Sequence, residues 1–251
     1  MIRQSPVLTR LVALIALLSM AAFPIAAEPL SSEQKKAFEK VIRDYLLANP
    51  QVILESMEKL RERERVEQEK IAKRTLSENK DTIFDHPMSP VSGNDKGNVT
   101  LVEFFDYQCG YCKRVIGSMV DLVENDKNLR VVWKELPILG EMSRVAAIAA
   151  MASKKQGKYY EFHVALMQNR GQLSLEIIMR IARSVGIDIA KLQKDMGDPK
   201  IAAYLDETIQ LAQSLGIRGT PGFIIGERIV PGAVSLDQLK NFISEARKPK
   251  S

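Results

Sequence analysis

An α/β fold with a helical insertion, carried behind a separate helical stalk, is predicted by three features of the 251-residue chain. A strand-like run, Val99 to Phe105, leads into a helix-like run and then a second strand ending near Leu136. A hairpin and a final helix occupy Phe223 to Arg247, and the stretch between, about Glu141 to Leu215, is helical in pattern and too long for one crossover. Ahead of all of these lies a charged helical segment with no globular neighbours in sequence.

The elements follow in order. Met1-Ile2-Arg3 and Arg10 precede an apolar run from Leu11 to Phe23, and Ile25-Ala26-Ala27 closes it. A basic start, a short apolar stretch and small residues at the cut make residues 1–27 a signal peptide, with an uncleaved anchor as the alternative. The run falls short of the roughly 18 to 20 apolar residues of a spanning helix. Ser31-Ser32-Glu33-Gln34 has the form of a capping box, and Phe38, Val41, Ile42, Tyr45 and Leu46 follow at helical spacing, so a first helix is expected from about Ser32 to Ala48. Asn49-Pro50 suits the cap and first position of a second helix, with Val52, Ile53, Met57 and Leu60 on its apolar side.

Beyond Leu60 the charges are mixed in sign as far as Arg74, and pairs such as Glu55 with Lys59, Glu58 with Arg61 and Glu69 with Lys73 favour a solvated helix. This run reads either as the exposed face of an ordinary helix or as a stalk whose apolar residues, Phe38 to Leu60, are buried against copies of themselves. Heptads are not sustained, which argues against a long coiled coil. Residues 28–80 are therefore assigned to a helical oligomerisation stalk and linker. His86-Pro87, Ser89-Pro90 and Ser92-Gly93-Asn94-Asp95 supply turns, and a globular domain is expected over residues 81–251 with its helical insertion at about 140–215. Its order is a strand at Val99 to Phe105, a helix from Cys109 to about Asn125, a strand from Arg130 to Leu136, the helical stretch, and strands Phe223 to Ile225 and Arg228 to Val230 joined by Gly226-Glu227. A helix from Ser235 to Arg247 ends it. Strand, helix, strand, then hairpin and helix is the order of the thioredoxin fold.

With Arg3 and Arg10 removed, 34 basic residues face 31 acidic ones, interleaved along the chain. No electrostatic stripe for phosphates emerges, and nucleic acid is not expected as a partner. Export also places the two cysteines where disulfides persist.

Cys109 and Cys112, set as Cys109-Gly110-Tyr111-Cys112, are the only cysteines and stand where strand meets helix. A bond across two residues closes too small a loop to restrain the unfolded chain much, so chemistry is the better reason for the pair. A thiolate at a helix N-terminus is favoured by unpaired amides and the helix dipole. Cys109, standing first, is expected to be the exposed nucleophile, and Cys112, one turn on and more buried, the resolving thiol. Gly110 and Tyr111 set thiolate stability between them. A zinc site wants four ligands, and only His86 and His163 remain to complete one, so no metal or other cofactor is expected. Cuprous ion on the two sulfurs alone stays open. His163 reads as a packed helix residue.

Glu103 lies in an apolar strand six residues before Cys109, where a carboxylate is costly to bury unless paired or used. It reads either as an outward-facing residue or as a buried proton acceptor beneath the cysteines, with Lys134 of the next strand as its partner. Thr220-Pro221 precedes the strand at Phe223 and, in a thioredoxin order, faces the active-site helix, where a free backbone edge can pair with a substrate strand.

Three separated motifs carry a resemblance. Val102-Glu103-Phe104-Phe105-Asp106-Tyr107 before the cysteine pair, Lys134-Glu135-Leu136-Pro137, and Gly219-Thr220-Pro221-Gly222-Phe223 resemble the DsbA family of bacterial periplasmic thiol:disulfide oxidoreductases over about Val99 to Arg247. The preceding segment, with Tyr45-Leu46 and Asn49-Pro50, resembles the N-terminal extension of the subgroup that includes ScsC, some of whose members trimerise through it. The resemblance implies that Cys109 is the nucleophile, Cys112 the resolving thiol, Glu103 the buried acid and Pro221 a cis-proline. It also implies a periplasmic location, exported cysteine-containing clients that are unfolded or misfolded, a membrane redox partner, and a homo-oligomer, with a trimer favoured. Gly110, Tyr111 and Thr220 depart from the oxidase DsbA and look like the isomerase DsbC. The expected function is disulfide isomerisation or reduction, with a dithiol oxidase or a copper-binding module as alternatives.

Overall fold

A computed structural model describes residues 30–248; the expected signal peptide lies outside them. The chain divides into two compact units between Glu62 and Arg63.

The first unit is helical. Helix α1, Ser32–Ala48, starts on the capping box: Ser31 Oγ accepts from the Gln34 amide at 3.2 Å and Gln34 Oε1 accepts from the Ser31 amide at 2.9 Å. Asn49 ends it, donating its amide to the Tyr45 carbonyl at 2.8 Å, and α2, Gln51–Glu78, begins after Pro50. No residue of α1 is buried; Phe38, Val41, Ile42, Tyr45 and Leu47 are all exposed, as are Ile53, Leu54, Met57 and Leu60 of α2.

In the second unit, Leu76 of α2 and Ile83 of a short helix α3, Lys80–Phe84, are buried in a core on one face of the sheet. Five strands follow: β1 Val91–Gly93, β2 Val99–Phe105, β3 Leu129–Glu135, β4 Gly222–Ile225 and β5 Arg228–Pro231. They lie in the order β1-β3-β2-β4-β5, with β2 and β3 parallel and the other pairs antiparallel. Helix α4, Gly110–Asn125, crosses between β2 and β3. The long insertion resolves into α5 Glu141–Ser153, α6 Tyr159–Gln168, α7 Leu175–Ser184, α8 Ile189–Asp195 and α9 Pro199–Ser214, and α10, Leu236–Arg247, closes the chain on a second capping box at Ser235. Alternation sorts β2 between two cores. Leu101 and Phe105 join Trp133 and the helices of the insertion, whereas Val102 and Phe104 join Leu76, Ile83 and Leu215 on the other face. This mixed sheet with its helices is the thioredoxin-like architecture.

Candidate active site

Cys109 caps α4 from a turn that Asp106 builds. The Asp106 carboxylate, fully buried, accepts from the amides of Gln108 at 2.7 Å, Ile138 at 2.9 Å and Leu139 at 3.0 Å and from Ser143 Oγ at 2.7 Å. Its carbonyl takes the Cys109 amide at 3.1 Å. One side chain thus ties the loop after β3 and the start of α5 to the residues before the nucleophile.

Cys109 is 5% exposed and Cys112 1%, and both are free thiols. Cys109 is therefore nearly enclosed rather than openly exposed, because Thr220 covers it: Cys109 Sγ donates to the Thr220 carbonyl at 3.1 Å and accepts from the Cys112 amide at 3.4 Å. The Thr220–Pro221 peptide bond is cis. Gly110 has open space where a side chain would stand, and Tyr111 is 58% exposed with the Arg114 guanidinium 4.1 Å from its ring centre.

The two sulfurs are driven apart electrostatically. Hydrogen bonds from the Cys112 side chain, the Thr220 side chain and the amides at the start of α4 hold the Cys109 thiol down at about 5, against the opposing effect of burial. Burial pushes the Cys112 thiol up, and its hydrogen bond to Cys109 and the charge on Glu103 push it further. Glu103, 2% exposed, is itself raised to about 8 by burial and by the neighbouring Cys109 charge. An ionised Cys109 beside a protonated Cys112 and a buried acid is a nucleophile with its resolving partner held in reserve.

The expected pairing of Glu103 with Lys134 is corrected by strand register. Glu103 stands opposite Trp133, and Lys134 opposite Phe104, so the two side chains leave opposite faces of the sheet. Lys134 Nζ donates instead to the Thr82 carbonyl at 2.6 Å and Ser89 Oγ at 2.7 Å, and burial lowers it to about 8. Glu103 instead interacts with the charges at the two cysteines.

Beside the site lies a buried polar cluster that the sequence reading missed. Glu135 Oε1 accepts from Tyr107 Oη at 2.9 Å and Tyr159 Oη at 2.8 Å, and His163 Nδ1 stands 3.1 Å from Tyr107 Oη. Burial holds His163 neutral at about 3. Its ring sits against Phe105, Tyr107, Trp133 and Tyr159, while His86 faces Glu207 and Tyr204, so neither histidine joins the cysteines. The signal was present in Lys134-Glu135-Leu136, an acid at the end of a strand whose middle, Val131-Val132-Trp133, is apolar. A groove of about 940 Å³ runs along α2, α3, the β4–β5 hairpin and α10, but neither cysteine, Thr220 nor Pro221 lines it.

The DSBA-like thioredoxin domain matches residues 100–244, more than half of the chain. The chain belongs to the DsbA-like family. It is a thiol:disulfide oxidoreductase by that membership, with thioredoxin-like oxidoreductases among its structural neighbours. A second match, to the N-terminal domain of the copper resistance protein ScsC, covers residues 34–67. The thioredoxin-like oxidoreductase of Silicibacter pomeroyi is 46% identical, covering 68% of this chain and 99% of that one, with a TM-score of 0.67. ScsC of Proteus mirabilis in a transitional conformation is 30% identical over 87% of this chain and 97% of its own, with a TM-score of 0.65. A periplasmic thioredoxin-like protein of Salmonella enterica serovar Typhimurium is 31% identical over 66% and 94%, with a TM-score of 0.62. Among curated relatives, the Na+/H+ antiporter NhaA 1 of Salinispora arenicola is 28% identical over 158 residues, which cover 62% of this chain and only 24% of the antiporter's length.

Proposed function

We propose that this chain isomerises or reduces wrong disulfides in exported proteins, acting in the periplasm as a homo-oligomer, a trimer by its likeness to ScsC. The observation that carries the reading is the apolar surface of Phe38 to Leu60, left exposed within its own unit, in a chain whose other unit holds an activated Cys109. Several reactive sites on one stalk hold a misfolded client through repeated exchanges.

Cys109 thiolate attacks one sulfur of the client disulfide; a Cys109–client disulfide forms and the other client sulfur leaves as thiolate with the electron pair. If a client thiolate then attacks the client sulfur of the mixed disulfide, a new client disulfide forms and Cys109 is restored, with no net redox change. If Cys112 attacks Cys109 Sγ instead, the client leaves as thiol, the Cys109–Cys112 disulfide forms, and two electrons have passed to the client. A membrane redox partner then restores the dithiol. Glu103, in its ionised form, takes the Cys112 proton in that step, Gly110 and Tyr111 tune the pair, and Thr220-Pro221 offers backbone to the client strand.

The test is reactivation of scrambled ribonuclease by the chain from Glu28 beside a truncation beginning at Arg63. Activity that requires the first unit supports the oligomeric isomerase. If neither form reactivates it while both oxidise a reduced peptide, the protein is a dithiol oxidase. The Cys112→Ala variant is expected to accumulate client on Cys109. The name of the copper resistance protein whose N-terminal domain matches residues 34–67, a segment without cysteine, suggests a second reading, cuprous ion held by Cys109 and Cys112; loss of stoichiometric copper on alkylating both thiols tests it.

A further inference from the structure

Four cations, Lys113, Arg114, Arg170 and Arg218, stand on segments next to the reactive sulfur. Lys113 follows Cys109 by one turn, donates its amide to the Cys109 carbonyl at 3.0 Å, and reaches the Asn169 carbonyl with Nζ at 2.6 Å, close enough to Arg170 for the two charges to repel. Arg114 lies over Tyr111, and Arg218 is exposed two residues before Thr220, whose carbonyl meets Cys109 Sγ. None of the four forms an ion pair among the described residues. The acids beside them answer only weakly: Glu103 is buried, Asp106 attracts Lys113 but is occupied by four donors, and Glu141 is exposed where α5 begins. Exposed Tyr111, Ile138 and Leu139 supply apolar surface among the charges.

We infer that the mouth around Cys109 selects extended polypeptide segments whose reacting cysteine is flanked by acidic side chains. The inference rests on the thiol-exchange reading above and names the client class for that same site. Unpaired guanidinium and ammonium groups attract carboxylates, Arg in a planar two-pronged fashion, and a surface of one sign steers charged partners into encounter. The collar acts on the first exchange, in which the Cys109–client bond forms and a client thiolate leaves; that departing negative charge is stabilised by the same cations. Salt screens the attraction over a distance of about 10 Å at 0.1 M.

The test uses the Cys112→Ala chain from Glu28 and three symmetric peptide disulfides, identical except for Glu, Gln or Lys on both sides of the cysteine. Mixed-disulfide formation is followed by mass spectrometry. The Glu peptide is expected to react about tenfold faster than the Lys peptide at low salt, with the ratio falling below about twofold at 0.5 M salt. Reversing the charge of the collar with Arg170→Glu and Arg218→Glu together is expected to invert the order. Equal rates for the Glu and Lys peptides at low salt, or a preference that salt does not touch, overturns the inference while a normal Gln rate leaves thiol exchange standing. If the Gln peptide also forms no mixed disulfide, the exchange reading falls and the inference with it.

Discussion

Cys109 and Glu103 bias the stability of the reduced protein in opposite directions. Burial holds Glu103 near 8 against an ordinary 4.5, so the unfolded chain loses that proton first and stability falls as pH rises from about 4.5 to about 8. Cys109 is held near 5 against an ordinary 9.0, so the folded chain ionises first and stability rises from about 5 to about 9. Each contributes a slope of at most about 1.4 kcal/mol per pH unit, and the two offset each other across pH 5 to 8. Glu103→Gln removes the falling limb alone. Urea melts of the reduced variant are expected to gain stability relative to wild type as pH rises through that window, and a constant difference between the two proteins would sink the buried acid. The sequence made Cys109 and Cys112 legible because their spacing and place before a helix are local. What it hid was the environment of Glu103, since which face of a sheet a side chain leaves is set by the register of its neighbours.

At the scale of elements, β3 shows what that register does. Lys134 leaves one face for Thr82 and Ser89, and Glu135 leaves the other for Tyr107 and Tyr159. Lys134 therefore fastens the segment after α3 to the sheet and stands apart from the sulfurs. Lys134→Met is expected to cost about 1–3 kcal/mol in a denaturant melt, since it strips two acceptors of their donor, while the Cys109 thiolate absorbance still titrates near pH 5. A titration displaced in this variant would return Lys134 to the active site. The seven-residue strands β2 and β3 were legible from their apolar runs, as were the hairpin of β4 and β5 and the helical nature of the insertion. Strand β1 and helix α3 were not: three residues after Pro90 and five after Asn79 are too short to show a period, and both owe their existence to what they pack on.

For the whole molecule, the exposed residues of the first unit bear on the number of chains. Helix α1 has 17 residues, little more than the roughly 12 to 15 below which an isolated helix is marginal in water. It nonetheless exposes Phe38, Val41, Ile42 and Tyr45, each worth about 1.5–3 kcal/mol if fully buried. Copies of the same helix are the partner that every molecule has available. Light scattering on the chain from Glu28 is therefore expected to give an integral multiple of the monomer mass. Phe38→Asp with Ile42→Asp is expected to return it to the monomer with the Cys109 alkylation rate unchanged. A chain beginning at Arg63 should behave as that monomer does. A cut near Ser89 is the wrong control, because it removes Leu76 and Ile83 from the core beneath the sheet and confounds loss of assembly with loss of fold. Should the unaltered chain weigh one monomer at micromolar concentration, the stalk joins no copies, and any dependence of isomerase activity on residues before Arg63 must come from their contact with the client.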